Sequence, residues 1–380
     1  MKSLTIAYIT ETSVNDKHAW SGTAHYVYKA LLNQGFEVIA LGPARPFLLR
    51  YFFAAINKVS IALFKKRFDY RHSLLYSKAF ARLFSKKLNS LSYDMIVVCG
   101  GTEYGAFLQS NKPIYYVVDR TIAGAIQYHS ILSDLWQFSV KQSIATDKRA
   151  MLRSDKVFFS SPWAARHAIT QYGLSEKKAI VLPFGANMDN LPSKEMALKT
   201  KDKSVWRLLL IGTYWTNKGA DIAYNTLLRL LEKGIKVELT IVGCEPPETI
   251  SHPQLKIVPF VDKNTHEGMN KIWELYLSHH IFILPTRFDC TPIVFCEASA
   301  FGLPILSADT GGVAGHIFEG ENGFLLPYSD KGGAYADKII EIISQDGLYE
   351  KLCQASRACF ENQLNWEIWG IRFKQHIDKT

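Results

Sequence analysis

The sequence predicts an α/β protein built from two doubly wound, Rossmann-like domains. Three observations lead there. Short apolar runs alternate with amphipathic stretches stopped by glycine along nearly the whole chain. At 380 residues the chain is long for a single core, so two domains of about 180 residues each are expected. A polar, proline-containing stretch, "FGANMDNLPSKEMALKTKDKS" at roughly 184–204, separates two series of such runs and reads as a linker.

The first series places strands at 4–10, 36–42, 94–99, 114–118, 156–161 and 179–183, and the second at 207–212, 237–242, 255–259, 281–284, 304–307 and 323–326. These runs are continuously apolar, as expected of parallel strands covered on both faces. Stretches such as "AHYVYKALLNQG" and "DIAYNTLLRLLEKG" supply the covering helices. The expected domains are 1–185 and 186–365. In folds of this class ligands lie beyond the carboxyl ends of the strands, so a site is expected in a cleft between the domains.

A hydrophobic share of 48% and a charged share of 21% describe a soluble globular protein. The opening "MKSLTIAYIT" is too short and too threonine-rich for a signal-peptide core and reads as a first strand. The six cysteines form no C-x-x-C pair and no zinc spacing, which points to reduced thiols in a cytoplasmic protein. No D-x-D motif stands in a suitable loop, so no metal is expected, and no cofactor.

The net charge of +9 is concentrated. Residues 45–90 hold eleven Lys or Arg and one acid, Asp69, while the rest of the chain is nearly neutral. In "SLLYSKAFARLFSKKL", Leu75, Tyr76, Ala79, Phe80, Leu83 and Phe84 share one helical face, and Lys78, Arg82 and Lys86 share another. That is the pattern of an interfacial helix, although the apolar face would serve a core equally well. The preceding "PFLLRYFFAAINKVSIALFKKRF" is apolar but carries Arg50 and Lys58, which makes it a poor membrane span. The charge excess favours an anionic membrane surface as partner of 45–90. No nucleic-acid motif accompanies it, so nucleic acid is not expected. The expected location is the cytoplasm, peripheral on the inner face of the cytoplasmic membrane.

The stretch "RFDCTPIVFCEASAFGLP" sets Asp289 in a loop and Glu297 in an apolar run, where a carboxylate is costly unless paired. Thr291 suits an N-cap, Pro292 the first helical position, and Gly302 with Pro304 a stop. The N-terminus of this helix is an anion site, and Glu297 lies about 7 Å further along at about 1.5 Å per residue. A nucleoside diphosphate sugar has its parts in matching order: phosphates at the helix start, ribose hydroxyls at Glu297, sugar at Asp289. The competing reading is a buried glutamate paired with a lysine or arginine.

The D-x7-E spacing resembles the E-x7-E signature of the retaining glycosyltransferases of family 4, which have the GT-B fold. "LLLIGTYWTNKGADIA" is similar to that family's strand and G-x5-K-G segment, and "ADTGGVAGHIFEGENGFLLP" to its Gly-Gly loop and following N-G. "NWEIWGIRFKQHI" resembles a last helix, 366–380, that crosses back to the first domain. The resemblance implies a metal-independent, retaining hexosyltransferase acting on a nucleoside diphosphate sugar, with UDP favoured. The acceptor would be a glycan or a lipid-linked molecule of the cell envelope. It assigns ribose to Glu297, the transferred sugar to Asp289 and the phosphates to Lys218. Gly22, Gly212 and Thr213, with the backbone of Thr291, Pro292 and Ile293, would line the diphosphate, and Val261 would lie by the base.

Asp119, at the end of "PIYYVVD", stands where the family usually has histidine, and Thr213 where it usually has arginine, leaving Arg287 or Arg120 to partner Lys218. Gly315 replaces a usual acid. The candidate catalytic residues are therefore Asp119, Asp289 and Lys218. His279 and His280 read as helix-end residues, and Trp215 equally as pocket or packing. Other classes to weigh are a UDP-sugar 2-epimerase, a phosphorylase and a sugar-nucleotide-binding protein without transfer activity.

Overall fold

A computed structural model describes residues 3–44, 46–126 and 134–378. The chain divides into two compact units, one of Met1–Leu182 with Trp369–Thr380, the other of Pro183–Ile368.

In the first unit, β1 (Thr5–Ile9), β2 (Glu37–Ala40), β3 (Met95–Cys99), β4 (Ile114–Val118), β5 (Lys156–Phe159) and β6 (Ala179–Val181) form one sheet in the order β2-β1-β3-β4-β5-β6. Every pairing is parallel, with Ile6 opposite both Val38 and Met95. The helices are α1 (Thr23–Asn33), α2 (Phe47–Phe64), α3 (Leu74–Leu88), α4 (Ile122–Ile126), α5 (Gln137–Arg153) and α6 (Pro162–His167).

The second unit has β7 (Trp206–Ile211), β8 (Val237–Val242), β9 (Leu255–Val258), β10 (Ile281–Leu284), β11 (Ile305–Ala308) and β12 (Gly323–Leu326), in the order β12-β11-β10-β7-β8-β9. Its helices are α7 (Lys194–Ala197), α8 (Ala220–Glu232), α9 (His266–Ser278), α10 (Ile293–Ala300), α11 (Gly333–Ser344) and α12 (Leu348–Asn362). The order reverses between β7 and β10, and a crevice opens beyond the strand ends at such a reversal. The strands expected from the sequence are all present, with ends shifted by about two residues at most.

α13 (Trp366–Ile377) begins in the second unit and ends in the first. There Phe373 packs on Phe36, Tyr115 and Phe158, and Lys374 Nζ donates to the Gln34 carbonyl at 3.0 Å. The stretch 184–204, read as a linker, is not a loose connection. Cys296 Sγ donates to the Phe184 carbonyl at 3.2 Å, Arg357 donates to the Pro192 carbonyl at 3.0 Å, and Phe184, Ala186 and Met188 are buried.

The basic segment needs a correction. Its expected interfacial helix, α3, is a core helix: Tyr76, Phe80, Ala81, Phe84 and Leu88 are buried against the first sheet's cluster. Stacked and edge-on aromatic pairs run along that face from Tyr76 to Phe84. Ser73 caps α3 by accepting from the Tyr76 N–H at 3.3 Å. α2, read as a poor span, is the helix left outside, with Phe53 its one buried residue. Arg45 of this segment lies outside the described residues.

Candidate functional site

In the second unit the loops after β7 and β10 are sewn together. Gly219 caps α8 at φ 70°, and a β-carbon there would overlap the Pro285 carbonyl oxygen, so only glycine fits. Thr286 Oγ1 donates to the Asn217 carbonyl at 3.0 Å, and the Arg287 N–H donates to the same oxygen at 2.8 Å. Gly212 is tight for a related reason: a β-carbon would lie 2.8 Å from Lys218 Cγ, so the bare backbone lets the lysine stem pass.

Lys218 is thereby aimed at Asp289. Its Nζ lies 2.5 Å from Asp289 Oδ2, with both side chains largely buried. Asp289 Oδ1 accepts from the Thr291 N–H at 3.1 Å, and the Asp289 carbonyl accepts from the Gly312 N–H at 2.8 Å. Gly311, at φ 52°, would bring a β-carbon within 2.6 Å of that same carbonyl oxygen, so the Gly-Gly loop packs directly on the acid's backbone. Two candidate catalytic residues from distant parts of the sequence thus form one ion pair at the point where strand order reverses.

α10 starts one residue later than the expected capping gave. Pro292 is the N-cap, and the Thr291 N–H before it is turned back onto Asp289. The helix is apolar nearly all round and buried accordingly. Glu297 sits inside it, 2% exposed. Its carboxylate is ion-paired with Lys263 and accepts from the Tyr276 hydroxyl at 3.1 Å. In this state, then, the competing reading of a lysine-paired buried glutamate describes Glu297. Val261, two residues before Lys263, is half-buried on the same core.

Arg287, expected as a stand-in partner for Lys218, instead grips Asp221 with two nitrogens, at 2.8 and 2.7 Å, and also donates to the Thr216 carbonyl. Thr213 is exposed. His279 and His280 are helix-end residues, bonded to the Leu275 and Asp202 carbonyls, and burial pushes both down to about 4. Burial likewise lowers His316 to about 4, against the opposing pull of the Gly312 backbone and Asp289. Trp215 packs on the core.

In the first unit Asp119 follows β4. The Trp20 indole N–H donates to its Oδ2 at 2.9 Å, and Arg120 lies 3.3 Å from its Oδ1, so Arg120 too serves an acid here. Trp20, Ser21 and Gly22 all have positive φ, at 49°, 55° and 85°. For the two non-glycine residues this conformation costs on the order of 1 kcal/mol or more each. The Trp20 ring covers Gly100, itself at φ 92°, where a β-carbon would lie 3.3 Å from the indole. Sequence reasoning missed Trp20, Lys263 and Tyr276. The last two partner Glu297 from another loop and helix, with no local pattern to reveal them. Among the described residues no three or more His, Cys, Asp or Glu side chains are grouped to hold a metal.

Comparison with known proteins adds to this geometry. Residues 206–345 match the family described as glycosyl transferases group 1. The chain is 23% identical over 235 residues to the capsular polysaccharide biosynthesis glycosyltransferase CapM of Staphylococcus aureus, covering 58% of this chain and 61% of that protein. It is 31% identical over 142 residues to an uncharacterized glycosyltransferase of Haemophilus influenzae, covering 37% and 39%. The chain therefore spans less than two thirds of the length of these curated relatives. Among solved structures, sucrose-phosphate synthase from Thermosynechococcus elongatus aligns with a TM-score of 0.68 at 18% identity, over 99% of this chain and 98% of that one. The lipopolysaccharide outer core galactosyltransferase WaaB aligns at 0.69 and 13%, over 99% of both chains. HepE of Anabaena, in complex with UDP-glucose, aligns at 0.64 and 14%, over 99% of this chain and 100% of that one. The fold is GT-B.

Proposed function

We propose that the protein, whose residues 206–345 match the group 1 glycosyl transferases, transfers a sugar from a nucleoside diphosphate sugar, UDP-linked, to a glycan or lipid-linked acceptor of the cell envelope, with retention at the anomeric carbon. The observation that carries this reading is the Lys218–Asp289 pair beside the start of α10 at the strand-order reversal. The leaving diphosphate gains charge as the glycosidic bond breaks. Lys218 and the positive end of α10 answer that charge without a metal ion. Asp289, fixed through its backbone, holds a hydroxyl of the transferred sugar. Lys218 is shared: its ammonium leaves the carboxylate for the donor phosphate when donor binds.

Glu297 receives the ribose hydroxyls once Lys263, whose side chain is partly exposed, swings aside. In the first unit Asp119 orients the acceptor hydroxyl. In the same-face mechanism the donor phosphate oxygen takes that hydroxyl's proton.

The relative from Staphylococcus aureus concerns capsular polysaccharide and WaaB concerns lipopolysaccharide, which supports an envelope acceptor. The UDP-glucose complex of HepE supports UDP. A thermal-shift panel of UDP-, GDP- and ADP-sugars, followed by donor consumption with envelope glycans and polyprenyl-linked sugars, tests the reading. UDP release that requires acceptor supports transfer. Binding without release in every pairing leaves a sugar-nucleotide-binding protein, and conversion of the donor sugar without acceptor makes it an epimerase.

A further inference from the structure

α2 is built inside out. On a soluble protein's surface helix the apolar stripe faces the core and the polar residues face water. Here the stripe facing the first unit is Leu49, Phe53, Asn57 and Ser60, which includes the helix's uncharged polar side chains. Asn57 Oδ1 accepts from the Phe68 N–H at 2.8 Å. Ser60 Oγ donates to the Lys66 carbonyl at 2.8 Å and accepts from the Trp136 indole at 2.8 Å. The opposite face carries Leu48, Phe52, Val59 and Leu63, exposed by 85%, 61%, 57% and 70%. Aromatic rings continue this surface at the helix end: Phe64 lies edge-on to Trp136, which stacks on Phe138, itself largely exposed. An apolar face this continuous requires a cover.

Cations border the face. Lys58 lies on its margin, Lys65 and Lys66 follow the helix, and Lys66 sits 4.9 Å from the Trp136 ring centroid. No acid occurs from Phe47 to Phe68. An amphipathic face of Leu, Phe and Val with basic margins and a tryptophan is what an anionic bilayer surface binds: apolar side chains enter the acyl boundary while lysines meet the headgroups. The same helix on a second copy of this chain has no acid to meet these cations. By length and composition α2 is able to cross a membrane. Yet it is bonded along one side to the 65–70 and 134–138 segments, and that side cannot face lipid without breaking the Asn57 and Ser60 bonds.

We infer that α2 is an interfacial helix that seats the first unit on an anionic lipid surface, with Leu48, Phe52, Val59 and Leu63 inserted and Lys58, Lys65 and Lys66 at the headgroups. The contact belongs to α2 and not to the basic face of α3. It is independent of the transferase reading, since vesicle binding and sugar transfer fail separately.

The test is flotation of the full chain with phosphatidylglycerol-containing and pure phosphatidylcholine vesicles. Wild type should float with the anionic vesicles and bind the neutral ones at least about 10-fold more weakly. The variant with Leu48, Phe52, Val59 and Leu63 all changed to Ser should lose binding about 10-fold or more, with an unchanged melting temperature. K78E/R82E on α3 should retain most binding. Alkaline carbonate should strip wild type from the vesicles, as it does an interfacial helix. Equal flotation of wild type and the α2 variant overturns the proposal, as does resistance to carbonate, which means spanning. A lipid-free dimer that the α2 variant dissociates also overturns it, because the face then covers a second copy.

Discussion

Asp289 and Asp119 both lie beyond the carboxyl end of a strand, one in each unit, but they are held by different means. Around Asp289 both carboxylate oxygens and the backbone carbonyl are engaged, and glycines at 219 and 311 press the neighbouring loops close. Its position is fixed by backbone that cannot spread. Asp119 is held by an indole and by its own neighbour Arg120, and the indole comes from a residue in a left-handed conformation. The first acid is locked by packing, the second by a strained loop that a substitution can relax.

The largest expected effect falls on the locked pair. Lys218→Ala should lower kcat/KM by about 10² to 10³, as removal of one charge-stabilising donor does, and weaken nucleotide binding as well. Wild-type turnover in a folded variant would remove Lys218 from the chemistry. Asp119→Asn preserves shape and the contact with Trp20, so donor affinity should stay within about two-fold while transfer falls about 10². A parallel loss of donor binding, read by calorimetry, would reassign Asp119 to the donor.

Glu297→Gln comes next, at about 1.5–3 kcal/mol of donor affinity, the worth of hydrogen bonds to a charged acceptor. Lys263→Met tells the two readings of Glu297 apart. If Lys263 must move aside for ribose, its removal improves donor affinity, and the melting temperature falls. If the pair is purely structural, donor affinity is indifferent to both variants.

The last comparison concerns stability against pH, where the units should diverge. His279, His280 and His316 lie in the second unit with folded values near 4. The unfolded chain takes up protons there from about 6.5 downward, so this unit loses up to about 1.4 kcal/mol per pH unit per histidine between 6.5 and 4. His72 in the first unit has the opposite sign. Burial works against its charge, but Asp69 at 2.9 Å and Glu103 at 3.3 Å outweigh that and hold it well above the ordinary value. Its contribution is complete below 6.5 and is lost as pH rises through the folded value. Asp69, lowered to about 2, stays ionised throughout this window. Hydrogen exchange at pH 7.5 and 5, corrected for intrinsic rates, should show protection falling in peptides of the second unit relative to the first. An unchanged ratio would refute the assignment.

What the sequence revealed follows the range of the forces involved. Strands appear as local apolar runs, and the opening of α10 as a local sequence of turn residues, so both are readable. The cap falls on Pro292, one residue past Thr291, a shift too small for the local run of turn residues to decide. Lys218 and Asp289 each stood out from its own motif, but their ion pair closes 71 residues apart and no spacing encodes it. α2 and α3 make the sharpest case. Both are apolar helices in a basic segment, and the one with the cleaner amphipathic stripe, α3, used that stripe for the core. Which helix is left outside depends on which one packs on the sheet face, a tertiary choice that neither helix's own sequence records.

α13 belongs to the first unit from Trp369 onward, although the whole second unit precedes it in the sequence. A ribosome at about 5–20 residues per second therefore needs roughly 10–40 s to make the intervening segment. During that interval Phe36, Tyr115 and Phe158 have no Phe373 to cover them. Synthesis thus imposes an order on maturation: the second unit can close as its own residues emerge, while the first waits, incomplete, for a helix made after it.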